Sequence, residues 1–541
     1  MKTVVAGALG ECVHVAGVYS FLRLAEQHGW NTIFLGPAVP TEQILQAARD
    51  EKADLVAVSY RLTPDTGERL LAEFAEAADD LHTAGVSFAF GGTPPIAARA
   101  TKLGFFNAVF DGSQSRDEVV AFLRGDTVAA NGSLHYPQTT IERIHWKEPF
   151  PLLRHHYGQP NMKDTIEGIR KIANAKALDV ISLGIDQDGQ ENFFHPEKQN
   201  PRSTGAGGVP VRSPDDYKRL YAATRSGNFP LMRTYSGTND FIRLAEMYVE
   251  TINICWAAVP LFWFNQLDGR GPFALESSIR EHQNLIQWYG EHDIPVELNE
   301  PHHWGMRDAS DVTFLVASYL SAYNARAFGV RNYIAQLMFN SPAGTSDRMD
   351  LAKMLACLEM SLTLENERFY IWRQTRTGLL SYPLEDNAAR AHLSASIYLQ
   401  MALKPHIVHI VGHTEAHHAA TAEDIIQASQ MANRAIENAL QGQPDMLSDP
   451  TIQGRKEYLM KQAHVVIQAI KNIHHNITSD ALTDPATLAQ AVQIGILDAP
   501  HLKNSAFAKG EIRTSIIDGA CQAIDKDGKP LTEEERLAQY I

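Results

Sequence analysis

The sequence predicts an α/β protein made of two β/α units: an N-terminal doubly wound parallel sheet, then a (β/α)8 TIM barrel with a C-terminal helical and loop extension. Three observations carry this. Short β-branched runs alternate strictly with helical patterns over the first 125 residues or so. The alternation resumes on a larger scale from about Pro149 to Gln441, a length that suits an eight-fold barrel. Between the two lies a polar stretch without periodicity, from about Gly125 to Thr140. These features place the first unit at 1–128, a linker at 129–148, the barrel at 149–442 and the extension at 443–541.

In the first unit, TVVAGAL, TIFLGP, LVAVSY, SFAFGG and AVFDG read as strands, with amphipathic helical segments such as Tyr19 to His28 and Thr41 to Glu51 between them. Ligands of such a sheet sit beyond the C-terminal ends of its strands. In the barrel, LDVISLG, PLMRTY, ETINICWA, PVELNE, NYIAQLM and HIVHIVG read as strands, each followed by a helical pattern. That locates six of the eight. The tail begins as a helix from Arg455 to His475, becomes loop-rich around Gly495 and Pro500, and ends in LTEEERLAQYI, which reads as a solvated helix end. The sequence shows no internal repeat or low-complexity segment.

Composition narrows the function classes. With 44% hydrophobic and 21% charged residues the chain is globular. A net charge of −15 without a basic run argues against nucleic acid or an anionic membrane as partner. Four separated cysteines (Cys12, Cys255, Cys357, Cys521) suit neither a disulfide framework nor a four-thiolate zinc site, and the expected location is cytoplasmic. The longest apolar run, Cys255 to Phe264, is half a membrane span and contains Pro260.

The first chemical signal follows the first strand: Cys12-Val13-His14-Val15-Ala16-Gly17. An imidazole here stands above the sheet edge, free to ligate a metal, while Gly17 permits close backbone approach. Ser59 in VAVSYRLTP and Gly91-Gly92 in FAFGGTPP follow at the ends of the third and fourth strands. This set resembles the cobalamin-binding domain of methionine synthase and the cobalamin mutases, a flavodoxin-like fold whose signature is Asp-x-His-x-x-Gly, Ser-x-Leu and Gly-Gly. The resemblance implies that His14 is the lower cobalt ligand and that Ser59 bonds the displaced nucleotide base. It also implies that Gly91, Gly92 and Thr93 admit the nucleotide tail. Two positions depart from the pattern. Cys12 stands where the family has Asp, leaving Glu11 as the adjacent carboxylate, and Arg61 replaces Leu.

The barrel carries FPLMRTYSGTND around Arg233, LESSIR at 275–280 with Trp288-Tyr289, Asn299-Glu300-Pro301, and Thr414-Glu415-Ala416 leading to Glu423. With GILDAP at 495–500, these stretches resemble the catalytic subunit of adenosylcobalamin-dependent glutamate mutase (methylaspartate mutase), here fused to its cobalamin domain. The resemblance implies adenosylcobalamin held between the two domains, a homodimer, and radical isomerisation of a small carboxylate. A planar guanidinium holds a carboxylate bidentately without risking proton transfer. Of the family's three arginines, Arg233 matches one and Arg154 in PLLRHHYG a second. The third is missing from IDQDGQENFF. Glu415 matches the glutamate that contacts the adenosyl ribose, whereas the neighbouring family lysine is absent. Glu300, at the end of another strand, is a candidate lining residue.

The family's amino-group glutamate should fall between Ala257 and Val259, yet Cys255 to Phe264 is wholly apolar. A buried ammonium without a carboxylate is costly, so the expected substrate is a one-carboxylate acid other than glutamate. The alternatives are a corrinoid methyltransferase, a radical lyase using the same domain, or a non-catalytic corrinoid-binding protein. Other readings are structural. His302, His303, His413, His417 and His418 read as surface or cavity imidazoles rather than zinc ligands. The aromatics Trp256, Phe262, Trp263 and Phe264 read as core, and Gly205-Ala-Gly-Gly208 as a plain loop. Arg233 has an alternative reading as an ion-pair partner.

Overall fold

A computed structural model describes residues 1–126, 134–473 and 480–538. It divides into two compact units, Met1–His135 and Tyr136–Ile541. Part of the expected linker, 129–133, lies outside the described residues, as does the end of the expected tail helix beyond 473. The remainder of the linker is not extended: Thr140–Lys147 is a helix.

The first unit is a five-stranded parallel sheet of β1 (Thr3–Ala8), β2 (Asn31–Phe34), β3 (Leu55–Tyr60), β4 (Ser87–Gly92) and β5 (Ala108–Phe110), in the order β2-β1-β3-β4-β5. Both faces are covered. Val5, Val56, Val58 and Phe88 pack into one cluster, while the alternating Val4, Ala6, Leu55 and Ala57 pack into another on the opposite face. Burial on both sides explains why these strands read as continuous apolar runs. Strand order reverses between β1 and β3, the position at which such sheets bind ligands.

The second unit is an eight-stranded, all-parallel, nearly closed barrel. Its strands are β6 (Leu152–Tyr157), β7 (Val180–Leu183), β8 (Leu231–Arg233), β9 (Ala257–Val259), β10 (Val296–Leu298), β11 (Asn332–Phe339), β12 (Tyr370–Thr377) and β13 (Ile407–His409). β13 returns to pair with β6, and the seam between β8 and β9 is bridged by the Cys255 amide donating to the Met232 carbonyl at 3.0 Å. β6 and β12 are the two strands the sequence left unlocated. The expected strand ETINICWA is shifted: Phe241–Ile252 is a helix that runs through Thr251, and β9 begins only at Ala257.

Helix Pro450–Lys471 packs against the barrel helices Asp311–Ala327 and Asp347–Leu362, and Arg455 reaches Asp311 at 2.9 Å. A hairpin of β14 (Thr514–Ile517) and β15 (Ala520–Ala523) follows. The acidic end is not a solvated helix. In helix Glu533–Leu537, Leu537 is fully buried and Arg536 donates to the carbonyls of Gly495 and Ile496, so its polar groups are consumed in anchoring the tail. No helix of the described residues is long and apolar enough to cross a membrane.

Candidate functional site

In the first unit, parallel pairing sets Ala8, Ser59 and Gly91 on one rung at the C-terminal edge of β1, β3 and β4. The three sequence elements therefore converge, although they are far apart in the chain. His14 lies on the loop after β1 with its side chain exposed. The contact to its Nδ1 comes from the buried thiol of Cys12, with Sγ 4.0 Å away, rather than from Glu11. A thiol is a weak donor, so the orientation that a carboxylate imposes in metal-bound histidines is here a looser one.

Ser59 Oγ is buried without a hydrogen-bond partner, which is uncommon for a native polar atom. A side chain at Gly17 or Gly91 would meet open space, whereas one at Gly92 would strike Ile96 and Phe90 within 2.9 Å. Gly92 is thus required by packing under helix Pro94–Leu103, and Gly91 leaves its backbone open to a ligand. Thr93 is the residue before that helix, and Arg61 is exposed just after β3. An orphaned hydroxyl, open glycine backbone and an exposed imidazole at the strand-order switch fit a corrinoid with its nucleotide tail.

The barrel interior is layered. Leu152, Val180, Leu231, Trp256, Ile334 and Ile407 form an apolar floor. Above it lies a polar tier centred on Glu297 of β10, whose side chain is fully buried. Glu297 Oε2 accepts from Arg154 Nη1 (2.9 Å), Arg233 Nη1 (2.7 Å) and Trp256 Nε1 (2.8 Å), and Oε1 accepts from Gln336 at 3.1 Å. Arg154 also donates to Ser182 (2.8 Å) and Gln374 (2.7 Å). Burial raises the Glu297 carboxyl, but Arg154 and Arg233 more than offset this and hold it below the usual carboxylate range. Burial, then Arg233, pushes Arg154 down to about 9. In this conformation both sequence-selected arginines are held by a carboxylate of the protein, although Arg233 Nε has no partner.

A third tier lies toward the C-terminal ends of the strands, where barrels of this kind place their chemistry. Met338, Arg376 and His409 share a rung with Arg154, and therefore the same inward face. His156 is 5.0 Å from His409 and stacks on Tyr235 at 5.4 Å between ring centres. His302 Nδ1 is 3.1 Å from Met338 Sδ. Burial, reinforced by Arg154 or Arg376, pushes His156, His302 and His409 well below the ordinary imidazole value, so they are neutral hydrogen-bonding groups at neutral pH. Arg376 is this tier's own cation, and Arg154 reaches it as well, its Nη2 lying 3.3 Å from His156 Nε2. Sequence reasoning missed Arg376, Glu297, His156 and His409; alternation in YIWRQTRT and LLRHHY was the signal available.

The remaining candidates are placed as follows. Glu415 is exposed on the loop after β13. Glu300 is fully buried, its Oε1 accepting from the Leu261 and Phe262 amides, and burial pushes its carboxyl up to about 7. Trp256, Phe262, Trp263 and Phe264 are buried, as the core reading expected, and Trp263 packs on Trp304 at 4.9 Å. The loop after β7 is served in space by Arg212, which grips Asp186 bidentately at 2.6 and 2.8 Å and is thereby occupied. A side chain at Gly208 would sit 2.3 Å from the Gly184 carbonyl, so that glycine serves a close backbone crossing. Among the described residues, no group of three or more His, Cys, Asp or Glu side chains is arranged to hold a metal ion.

Comparison with known proteins bears on the first unit. Residues 2–120 match the family model described as B12 binding domain. A cobalamin-binding protein from Desulfitobacterium hafniense DCB-2 is 21% identical over 23% of this chain and 58% of its own, with a TM-score of 0.20. The cobalamin-dependent S-adenosylmethionine radical enzyme OxsB, in its apo form, is 12% identical over 92% of this chain and 66% of its own, with a TM-score of 0.18. The same enzyme with aqua-cobalamin and S-adenosylmethionine bound is 10% identical over the same shares, also at 0.18. The chain thus spans less than two thirds of each of these proteins. No curated protein matches the chain. The family match and the local geometry support cobalamin as the ligand of the N-terminal unit.

Proposed function

We propose that this protein is a cobalamin-dependent enzyme, an adenosylcobalamin radical isomerase acting on a small carboxylate other than glutamate. The carrying observation is the combination, in one chain, of a B12-binding match over residues 2–120 and a barrel whose lumen holds three inward-facing arginines, Arg154 and Arg233 paired with Glu297 and Arg376 without an ion pair among the described residues. When bound, adenosylcobalamin would supply the radical chemistry that abstracts hydrogen from an unactivated carbon. His14 would be its axial ligand, Ser59 Oγ would bond the nucleotide base, and Gly91 would let the tail pass. The barrel's residues would bind and orient the substrate and exclude water, with its anionic group drawn to the positive lumen. In the second tier no carboxylate is free for an ammonium among the described residues, since Glu297 is taken by two arginines.

The test is to reconstitute the full chain with adenosylcobalamin in the dark, remove free cofactor, and record the visible spectrum beside that of His14→Ala. Retained cobalamin with the spectrum of nitrogen-ligated cobalt is expected in the wild type, and in His14→Ala either loss of the cofactor or a shift to the spectrum of cobalt without that nitrogen ligand. Candidate monocarboxylates are then followed by NMR for a rearranged carbon skeleton. No retention would overturn the cofactor assignment. Transfer of label from methylcobalamin to an acceptor, with no rearranged product, would replace the isomerase by a methyltransferase.

A further inference from the structure

We propose that Arg376 is the anion-receiving group of the barrel and that, with His156, His409 and Tyr235 around it, it binds the carboxylate of a small monocarboxylic acid. This rests on reading the third tier as the substrate site and names the group that recognises the substrate there.

The other buried arginines all have protein partners. Five arginines are buried among the described residues: Arg143, Arg154, Arg233, Arg376 and Arg536. Arg143 donates to the carbonyls of Pro137, Asn228 and Phe229, and Arg536 to Glu533 and two carbonyls. Arg154 and Arg233 share Glu297. Arg376 is 6% exposed and makes no hydrogen bond or ion pair among the described residues, and its Nε is buried without a partner. The carboxylate of Glu415 acts on Arg376 through space, but its side chain is exposed and forms no ion pair with the guanidinium. Its Nε is shut off from solvent while the two Nη groups are not, and the whole fork lacks a protein acceptor among the described residues, so a bound anion supplies the missing acceptors.

The neighbours of Arg376 are unsatisfied in a complementary way. His409, next to it on the same rung, is 1% exposed with Nδ1 unpartnered. One step below, Gln374 Nε2 and Gln336 Oε1 are also buried without partners. Such atoms occur elsewhere in the core too, but here Arg376 Nε, His409 Nδ1, Gln374 Nε2 and Gln336 Oε1 lie together on one inward face, a place where something else can supply the hydrogen bonds. The imidazoles around it are neutral, so Arg376 is the one cation of this face without an ion pair among the described residues, and its planar fork suits a single carboxylate. Arg376 stands on β12, away from the loop after β7 where the resemblance places a third arginine, so neither the strand nor the residue follows from the sequence resemblance.

The experiment uses the full-length chain, wild type, Arg376→Gln and Arg376→Lys, titrated calorimetrically with isobutyrate and, separately, with inorganic phosphate. Thermal unfolding and cobalamin retention are measured on the same samples. Saturable isobutyrate binding to the wild type is expected, at least tenfold weaker in Arg376→Gln and partly kept in Arg376→Lys. Arg376→Gln is expected to unfold at the same temperature as wild type or higher, because a functional charge has been removed rather than a structural tie. Isobutyrate binding that is absent from the wild type or unchanged in Arg376→Gln would overturn the proposal. So would a markedly lower unfolding temperature in that variant, or phosphate binding more tightly than isobutyrate. Cobalamin retention separates the two readings: its loss in all three proteins breaks the cofactor assignment, whereas retention without anion binding breaks this inference alone.

Discussion

Replacing Glu297 by Gln is the sharpest probe of the barrel's electrostatics. The side chain is fully buried and accepts from Arg154, Arg233, Trp256 and Gln336. The amide keeps the shape but removes the charge, so two guanidiniums are left in the core without a carboxylate. Breaking a buried pair in this way costs about 3–5 kcal/mol. At ~2.1 cal/mol/K per residue, a unit of about 400 residues has an unfolding entropy near ~0.85 kcal/mol/K, so ~4 kcal/mol lowers its Tm by about 5 °C. Replacing the trio together (Arg154→Met, Arg233→Met, Glu297→Leu) should be neutral or stabilising by ~1–4 kcal/mol, because the desolvation cost of three charges disappears with their attraction. The folded carboxyl is depressed below its unfolded value, so its contribution is present above the unfolded pKa and is lost as pH falls through the folded one. The gap between wild type and Glu297→Gln should therefore be full at pH 7 and close in acid. Urea and thermal unfolding followed by circular dichroism measure both. An unchanged Tm at pH 7, or a gap that widens in acid, would refute the reasoning.

Two further perturbations use different chemistry. Burial pushes Glu300 up to about 7 in the folded state, so its contribution is full below the unfolded pKa and is lost as pH rises through 7. Glu300→Gln mimics the protonated acid and keeps an acceptor for the Leu261 and Phe262 amides. It should stay within about 1 kcal/mol of wild type near pH 5 and exceed it by about 3 kcal/mol near pH 8.5, and equal urea midpoints at both pH values would contradict this. Lys353, 1% exposed, lies 3.2 Å from Asp311 and 3.1 Å from Asp350 and donates to the Ser341 carbonyl at 2.6 Å. Burial lowers its ammonium pKa, but the two carboxylates more than restore it. Lys353→Met leaves buried carboxylates short of a cation and should cost ~3–5 kcal/mol in urea unfolding, and a loss under 1 kcal/mol would show that Arg455 alone satisfies Asp311.

What the sequence revealed and what it hid have one physical cause. The strands of the first unit were legible because β1, β3 and β4 are buried on both faces in apolar clusters, to which the edge strands β2 and β5 add partly buried residues such as Ile33 and Val109, so burial writes itself as hydrophobic runs. The same holds for most barrel strands, whose outward positions pack under helices. β6 and β12 escaped because their inward positions are Arg154 and His156 in one, and Gln374 and Arg376 in the other. A strand that faces a polar lumen loses half of its apolar signal, and these are also the strands that contribute most to the candidate site. The shift of β9 has a different origin: Thr251 and Ile252 are β-branched residues in a helix end, where tertiary packing overrides local preference.

The site residues follow the same division. His14, Ser59 and Gly91 were readable because each sits at a fixed offset from a legible strand, and pairing alone then brings Ser59 and Gly91 to one rung. The roles of Arg154 and Arg233 were not readable, since their partner Glu297 is separated from them in the chain by 143 and 64 residues. Parallel β/α topology makes every such contact non-local, so a residue type at a strand end indicates a position in the lumen but not whether its charge is already paired. That question separates Arg376 from its two neighbours. All three are inward-facing arginines on barrel strands, yet two share one carboxylate of the protein and one is left for an anion from outside. The assignment of substrate recognition to this barrel therefore turns on compensation of charge rather than on the arginine count that the sequence supplies.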